Sequence, residues 1–492
     1  MTTTMSIEII IGTRWNMTQT AEDLQDCIYE FLPNGVLKYN GYISKWKIKD
    51  DMVVISHNNG YAILKGNIVG NELVGTASNL VGKKWTFKGK LISKGPLTVT
   101  SNNPDISNVL NDKQNSLIER IFATIEDYRA DENSPLVRMT TDRIRNWINQ
   151  FDNDLRVPIL TELDNIFKKR YCSKTKVKNF LDQVIQVLTK DFNFNSADEF
   201  LKNSNFLNLQ PEGKSQRIML SLFDDLIQEK YGISLSDCGT TSKKYSIYID
   251  DILCTGLTLI SDIKEWSEKD FTEGKSNKQA VADGSTVLVF AYVFIHEKNY
   301  YKKKAEMRFK ISNEVANNHK MYRMTEIENG IGQSSKIDLL YPFENGQPQS
   351  VTDYKNEIIE RVNNHTTRYN TVSPEEFYRP TGQPASEQFF SSAQNRIIVE
   401  NTFLEKGIEI LRNANPTNKN MRALGYSIPA LKNFGFGALC FTWRNVPNNA
   451  PLVFWYSGGG FTPLFKVTRG GNPIVNFNFV ANPTTPDDDL PF

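Results

Sequence analysis

The chain has no long apolar run, no paired cysteine spacing, few histidines and almost no net charge, and each absence closes a class of function. No stretch approaches the ~20 apolar residues needed to cross a bilayer. The opening MTTTMSIEIIIGTRW lacks a basic segment followed by an apolar core and a small-residue cleavage site, so no secretory leader is expected. A soluble, cytoplasmic protein with no membrane partner is the expectation. Cys27, Cys172, Cys238, Cys254 and Cys440 are odd in number and far apart, which argues against a disulfide framework and against a structural zinc site. His57, His296, His319 and His365 are equally scattered, so a histidine-based metal centre is not expected unless residues distant in sequence meet in space. A net charge of +1 gives no global attraction to nucleic acid, and any such binding has to be local.

What is present supports several cores. A chain of 492 residues with 39% apolar and 23% charged residues is globular and long enough for two to four domains. The expected fold is a multidomain α+β protein: an N-terminal antiparallel β meander or barrel, a helical segment, then an α/β core with a parallel sheet. From Ile9 to about Ile92, short strands alternate apolar and polar residues, and Asn34-Gly35 and Gly70-Asn71 are hairpin signals because both pairs tolerate positive φ. The GTRW opening, the FLPNG turn and the closing GKKW resemble lipocalin-like β domains, whose barrel mouth can hold a ligand. A packed structural module or protein-contact platform, with Trp15, Trp46 and Trp85 in its core, is the stronger reading of the same residues.

The boundaries follow the changes of period. Residues 1–95 form the β domain, 96–135 a Ser/Asn/Pro linker and a helix, 136–470 the main domain and 471–492 an acidic tail. Within the main domain, 136–235 repeats apolar residues every three or four positions, as amphipathic helices do. An α/β core is expected over 236–345, with strands at Tyr245–Ile249 and Thr286–Ile295. The part 346–470 mixes helices near 351–365 and 386–413 with aromatic strands in FGFGALCFTW and LVFWY.

The chemistry is concentrated in KYSIYIDDILCTGLTLISDIKEW, residues 244–266. An apolar strand delivers Asp250 and Asp251 to the carboxyl edge of a sheet, and the turn Cys254-Thr255-Gly256-Leu257-Thr258 opens a helix. Backbone N–H groups of that turn suit a phosphate, the threonine hydroxyls add donors and Gly256 permits close approach. The two carboxylates suit ribose hydroxyls and positive charge developing on a sugar ring. This run resembles the phosphoribosyl-pyrophosphate motif of type I phosphoribosyltransferases, two acids, three residues, then Thr-Gly-x-Thr, and Asp250, Asp251, Thr255, Gly256 and Thr258 match it. The chain departs from it at Ser246, Tyr248 and Cys254. The resemblance implies phosphoribosyl pyrophosphate or a nucleotide-type ligand and magnesium (Mg2+). Upstream, Asn205–Leu209 reads as a short strand and Gln216–Lys230 as a helix, so Lys214 and Ser215 stand at a second helix start suited to pyrophosphate, although this is not a Walker loop.

No base-binding hood and no flexible catalytic loop of the biosynthetic enzymes is recognisable. The long helical segment and the NVPNNAPLVFWY and FTPLF runs are similar instead to divergent phosphoribosyltransferase-like proteins of bacterial conflict and antiphage systems, some retron-associated. The ending Asp487-Asp488-Asp489-Leu490-Pro491-Phe492 resembles the C-terminal tip of single-stranded DNA-binding proteins, which implies docking on repair or replication proteins. Tyr300-Tyr301-Lys302-Lys303-Lys304 and Lys168-Lys169-Arg170 offer a weaker route to nucleic acid. Two functions compete: a phosphoribosyltransferase or related glycosyl transferase or hydrolase acting at ribose C1, and a non-catalytic ligand sensor or adaptor.

Overall fold

A computed structural model of the chain describes residues 10, 13–20, 26–32, 36–39, 42–49, 52–57, 61–94, 104–330, 336–368 and 372–467. The alternating N-terminal segment forms eight strands: β1 (Thr13–Gln19), β2 (Cys27–Leu32), β3 (Val36–Tyr39), β4 (Tyr42–Lys49), β5 (Met52–His57), β6 (Ala62–Val69), β7 (Glu72–Asn79) and β8 (Lys84–Lys94). Each pairs antiparallel with the next and β8 closes on β1, with Trp15 opposite Leu91, so the barrel leaves no free edge. Alternation sends Trp15, Phe31, Trp46, Ile55, Leu64 and Phe87 into one buried cluster. An eight-stranded barrel is narrow enough for side chains to fill it. Gly70 turns β6 into β7 at φ 63, whereas Asn34-Gly35 lies outside the described residues. Trp85 is only half-buried and donates to Gln19 Oε1 at 2.7 Å.

Residues 95–103 of the expected linker lie outside the described residues, and helix α1 (Pro104–Ile125) follows. With α2 (Thr141–Ile148) and α3 (Asn153–Arg170) it packs around Trp147, whose indole donates to Val453 O at 2.8 Å. Phe403, Phe454 and Phe465 belong to the same core, so the early helices and residues 393–467 enclose one interior.

The chain then continues as β9 (Tyr171–Cys172), α4 (Lys174–Asp191), α5 (Ala197–Lys202), β10 (Ser204–Phe206), α6 (Ser215–Tyr231), β11 (Tyr245–Leu253) and α7 (Leu257–Glu268). After a short ribbon, β12 (Asp270–Thr272) and β13 (Lys275–Ser276), come α8 (Asn277–Ala282), β14 (Val287–His296), α9 (Glu297–Lys310), α10 (Asn313–Asn318) and β15 (Lys320–Ile327). Strands β10, β11, β14 and β15 form one parallel sheet in that order. Both faces of the central strands β11 and β14 are buried, as parallel sheets require. Ile247, Ile249 and Val289 pack with Phe180 of α4 and Leu220 and Phe223 of α6, while Tyr248, Phe290 and Tyr292 pack with Leu259 and Ile263 of α7 and Met307 of α9.

Three expectations need correction. Strand β11 runs four residues beyond Ile249, so the two acids lie inside it rather than after it. The segments FGFGALCFTW and LVFWY are not aromatic strands: only Phe441–Thr442 pairs, parallel to Tyr171–Cys172, and Leu452–Trp455 is a helical turn. Gly435 at φ 131 and Gly437 at φ 73 turn the backbone out of strand geometry, and Pro451 starts the turn that follows. The third is an omission: β15, whose KMYRMTEI pattern is mixed because it is the sheet's outer strand, was not expected.

Candidate functional site

The connection after β10 leads to α6 on one face of the sheet, and the connection after β11 leads to α7 on the other. Neighbouring strands whose connections part in this way leave a crevice at their carboxyl ends, the usual ligand position in α/β sheets. The residues on its two sides are joined directly. Ser215, the first residue of α6, donates to Asp250 Oδ1 at 2.8 Å. Gln210, in the connection before it, donates to Asp250 Oδ2 at 3.2 Å and to Asp262 Oδ2 of α7 at 3.1 Å. Gln216 holds that connection by accepting from the amides of Leu209 and Gln210 at 2.9 and 3.0 Å. Thus the two phosphate candidates read separately from sequence, 214–215 and 250–258, meet at one place.

The carboxylates are covered. Asp250 is 6% exposed and Asp251 4%. Strand alternation sends them to opposite faces: Asp250 shares its side with Tyr248 and Asp262, while Asp251 Oδ2 accepts from Asn445 Nδ2 at 2.8 Å. Burial, reinforced by the charge of Asp251, pushes Asp250 up to about 8 despite the Ser215 and backbone donors. Burial raises Asp251 as well, against the hydrogen bonds from Asn445 and the Ile252 amide, and it raises Asp262. Among the described residues no ion pair reaches any of the three; the exposed Lys214 ammonium acts on Asp262 from a distance. The cluster therefore gathers three carboxyl groups with no paired cation among the described residues, and burial favours their protonated forms.

The phosphate side is open. Gly256 takes φ 72 at the start of α7, and no side chain caps that helix. Thr255 and Gly256 are half-buried, and Leu257 and Thr258 are exposed. A Cβ at position 256 would lie 2.6 Å from Cγ of Lys303, a buried lysine of α9 whose ammonium pairs with Glu306, so only glycine fits this bend. Cys254, by contrast, is buried below the loop and presents nothing to a ligand there.

Other candidates fall elsewhere. Tip residues Asp487, Asp488, Asp489, Leu490, Pro491 and Phe492 lie outside the described residues. In the basic clusters Lys168 pairs with Asp164, Lys169 donates to the Phe389 carbonyl, Arg170 pairs with Asp338 and Tyr300 bonds His319, so much of their hydrogen-bonding capacity is engaged. A cavity of about 660 Å³ opens along the β10 edge between Arg217, Asp224, Trp266 and Lys269, and neither acid nor any of residues 255–258 lines it. We place the site at the crevice because Asp250, Asp262, Gln210, Ser215 and the uncapped start of α7 come together there. Sequence reasoning missed Gln210, Asp262 and Asn445; the last lies 194 residues from Asp251, where no local pattern could connect them.

Comparison with curated proteins and with solved structures returns no match. A sequence model of the PRTase-CE family matches residues 144–467, a span that includes the whole parallel sheet, both loops and Asn445. On that match, which covers well over half of its length, the chain belongs to the PRTase-CE family, and this span is its phosphoribosyltransferase-like region.

Proposed function

We propose that the crevice between β10 and β11 binds phosphoribosyl pyrophosphate or a nucleotide-type ligand. The reading is carried by one observation: Ser215, at the start of one helix, is hydrogen-bonded to Asp250 beside the uncapped start of another. The 5-phosphate would lie on the amides and hydroxyls of Thr255–Thr258, and the pyrophosphate or its equivalent against Lys214 and Ser215. The ribose hydroxyls would replace Ser215 and Asn445 as donors to Asp250 and Asp251. That exchange swaps hydrogen bonds of similar strength, so the cost of opening the acids is small beside the stabilisation the bound phosphate brings.

Asp250 and Asp262, whose carboxylates share the Gln210 amide on one side of the sheet, offer the oxygen donors that a hard cation such as magnesium takes. When bound, that ion supplies charge neutralisation to a departing pyrophosphate. Nearby positive charge favours ionised carboxylates, so Asp250 would change from a protonated acid to an anion able to favour cationic character at ribose C1. The reaction consistent with this placement is the making or breaking of a bond at that carbon.

A second reading rests on the burial of the acids. With Asp250 raised to about 8 and covered by Ser215, the same crevice serves a non-catalytic sensor, in which ligand entry exchanges internal bonds for external ones. Pyrophosphate release from phosphoribosyl pyrophosphate with Mg2+, lost in Asp251→Ala, is the outcome for an enzyme; saturable binding without turnover is the outcome for a sensor. Absence of both overturns the assignment.

We further propose that the protein acts in defence, with the barrel as a lipocalin-like contact module and the tip as a docking peptide for repair or replication proteins. The buried apolar cluster inside the barrel favours contact over ligand capture. Competition between a labelled tip peptide and the same peptide lacking Phe492 tests the docking, and equal binding by the two contradicts it.

A further inference from the structure

Beneath the phosphate loop, three residues from distant parts of the chain come together. Cys254 follows β11, His296 ends β14 and Cys440 precedes Phe441–Thr442, and one donor atom from each lies within 4.8 Å of the others. All three are buried, His296 and Cys440 completely. The histidine is oriented. Its Nδ1 lies 2.8 Å from the carbonyl oxygen of Leu253, and since a carbonyl can only accept, that nitrogen carries the proton. Nε2 is then a lone-pair acceptor, and among the described residues it has no hydrogen-bond partner. Phe436 packs edge-on against the ring at 4.8 Å and 86°, which hinders it from turning away.

A buried imidazole nitrogen without a partner is costly, on the order of 1–3 kcal/mol, and two thiols beside it are poor donors to satisfy it. The arrangement is instead that of a metal-ligating histidine, with one ring nitrogen fixed by a backbone carbonyl and the other aimed at the ion. We propose that Cys254, His296 and Cys440 bind a zinc ion. The donors choose the metal: thiolate and imidazole suit zinc and disfavour magnesium or calcium, which take oxygen. Bonds of ~2.0–2.3 Å in a tetrahedron put neighbouring donors roughly 3.5 Å apart, so small side-chain rotations close the present spacing.

Charge agrees with the setting. Binding converts two thiols to thiolates and releases two protons to solvent, and Zn2+, two thiolates and a neutral imidazole sum to zero, the net charge a dry interior tolerates best. Three protein donors leave one tetrahedral position for water or another ligand atom. The ion would tie the ends of β11 and β14 to the C-terminal segment, fixing the base of the loop that starts at Cys254 and the segment that supplies Asn445. The inference does not depend on the sugar-phosphate reading, because it concerns different donors on the buried side of the loop.

The test is metal content. Full-length protein purified without chelator is expected to carry about one zinc per chain by plasma mass spectrometry, falling roughly tenfold or more in Cys254→Ser, His296→Gln and Cys440→Ser and staying level in Cys27→Ser. Because core variants can fail to fold, stripped wild-type protein is also titrated with Co2+, which should produce a thiolate-to-cobalt charge-transfer band with release of about two protons per ion. A wild-type chain with neither zinc nor the cobalt band, zinc retained in all three variants, or a Cys254–Cys440 disulfide in the purified protein would overturn the proposal.

Discussion

The barrel and the α/β core bury polar groups in opposite ways. In the barrel, His57 lies between Tyr29, whose hydroxyl is 2.7 Å from Nε2, and Ser44, whose hydroxyl is 2.7 Å from Nδ1, and burial keeps the ring neutral by lowering it to about 4. Both ring nitrogens are bonded, and the rings of Tyr29 and Tyr39 pack against the imidazole. In the core, Asp250, Asp251 and Asp262 crowd together without an ion pair, and His296 Nε2 lacks a hydrogen-bond partner, among the described residues. Buried polar groups are normally satisfied, so the exceptions mark where a ligand or ion completes the structure. On these proposals, the contrast separates a module that is finished when folded from one that would be finished when occupied.

The largest effect expected from this contrast is purely structural. Trp15→Ala removes a ring that is 2% exposed in the barrel interior and should cost about 3–5 kcal/mol in a urea titration of the barrel. Binding of phosphoribosyl pyrophosphate should not change; its loss would mean that the two regions are not separable. Asp250→Asn in the core should behave in reverse. The amide still accepts from Ser215, so the melting temperature at pH 8 should not fall, whereas ligand affinity should drop by about 10- to 100-fold, the worth of one charge-assisted pair.

Smaller effects sharpen the same division. Ser44→Ala leaves His57 Nδ1 without its hydroxyl partner and should cost about 1–3 kcal/mol with no effect on binding. The pH dependence of stability should carry the signature of Asp250. Its carboxyl is held up at about 8 in the folded chain but ionises near the ordinary carboxylate value when unfolded. Its contribution is therefore complete below about pH 4 and is lost as pH rises to about 8. Urea midpoints of wild type minus those of Asp250→Asn should fall across that window, and a flat difference would show that Asp250 is ionised in the ligand-free protein.

Much of this division was legible in the sequence. Period-two alternation from Thr13 to Lys94 specifies a two-faced sheet, and the apolar runs at 245–249 and 286–295 specify strands buried on both sides. Local patterns failed where tertiary context decides. The aromatic C-terminal run is apolar because it fills the helical core, and its glycines and prolines, rather than its hydrophobicity, set its backbone. Neighbouring acids in a strand start out on opposite sides, and one partner of Asp251, Asn445, comes from the far end of the chain. The Cys254–His296–Cys440 cluster is invisible to any spacing rule, since its members come together only after β11, β14 and the C-terminal segment have packed.

The central claim, that one crevice receives a sugar phosphate, is tested most directly by titration calorimetry of phosphoribosyl pyrophosphate with Mg2+ into the full-length chain and into an Asp250→Asn/Asp251→Asn variant of matched melting temperature. Saturable single-site binding by wild type and its disappearance in the variant is the expected result. No binding by wild type, or equal binding by the variant, would contradict the account.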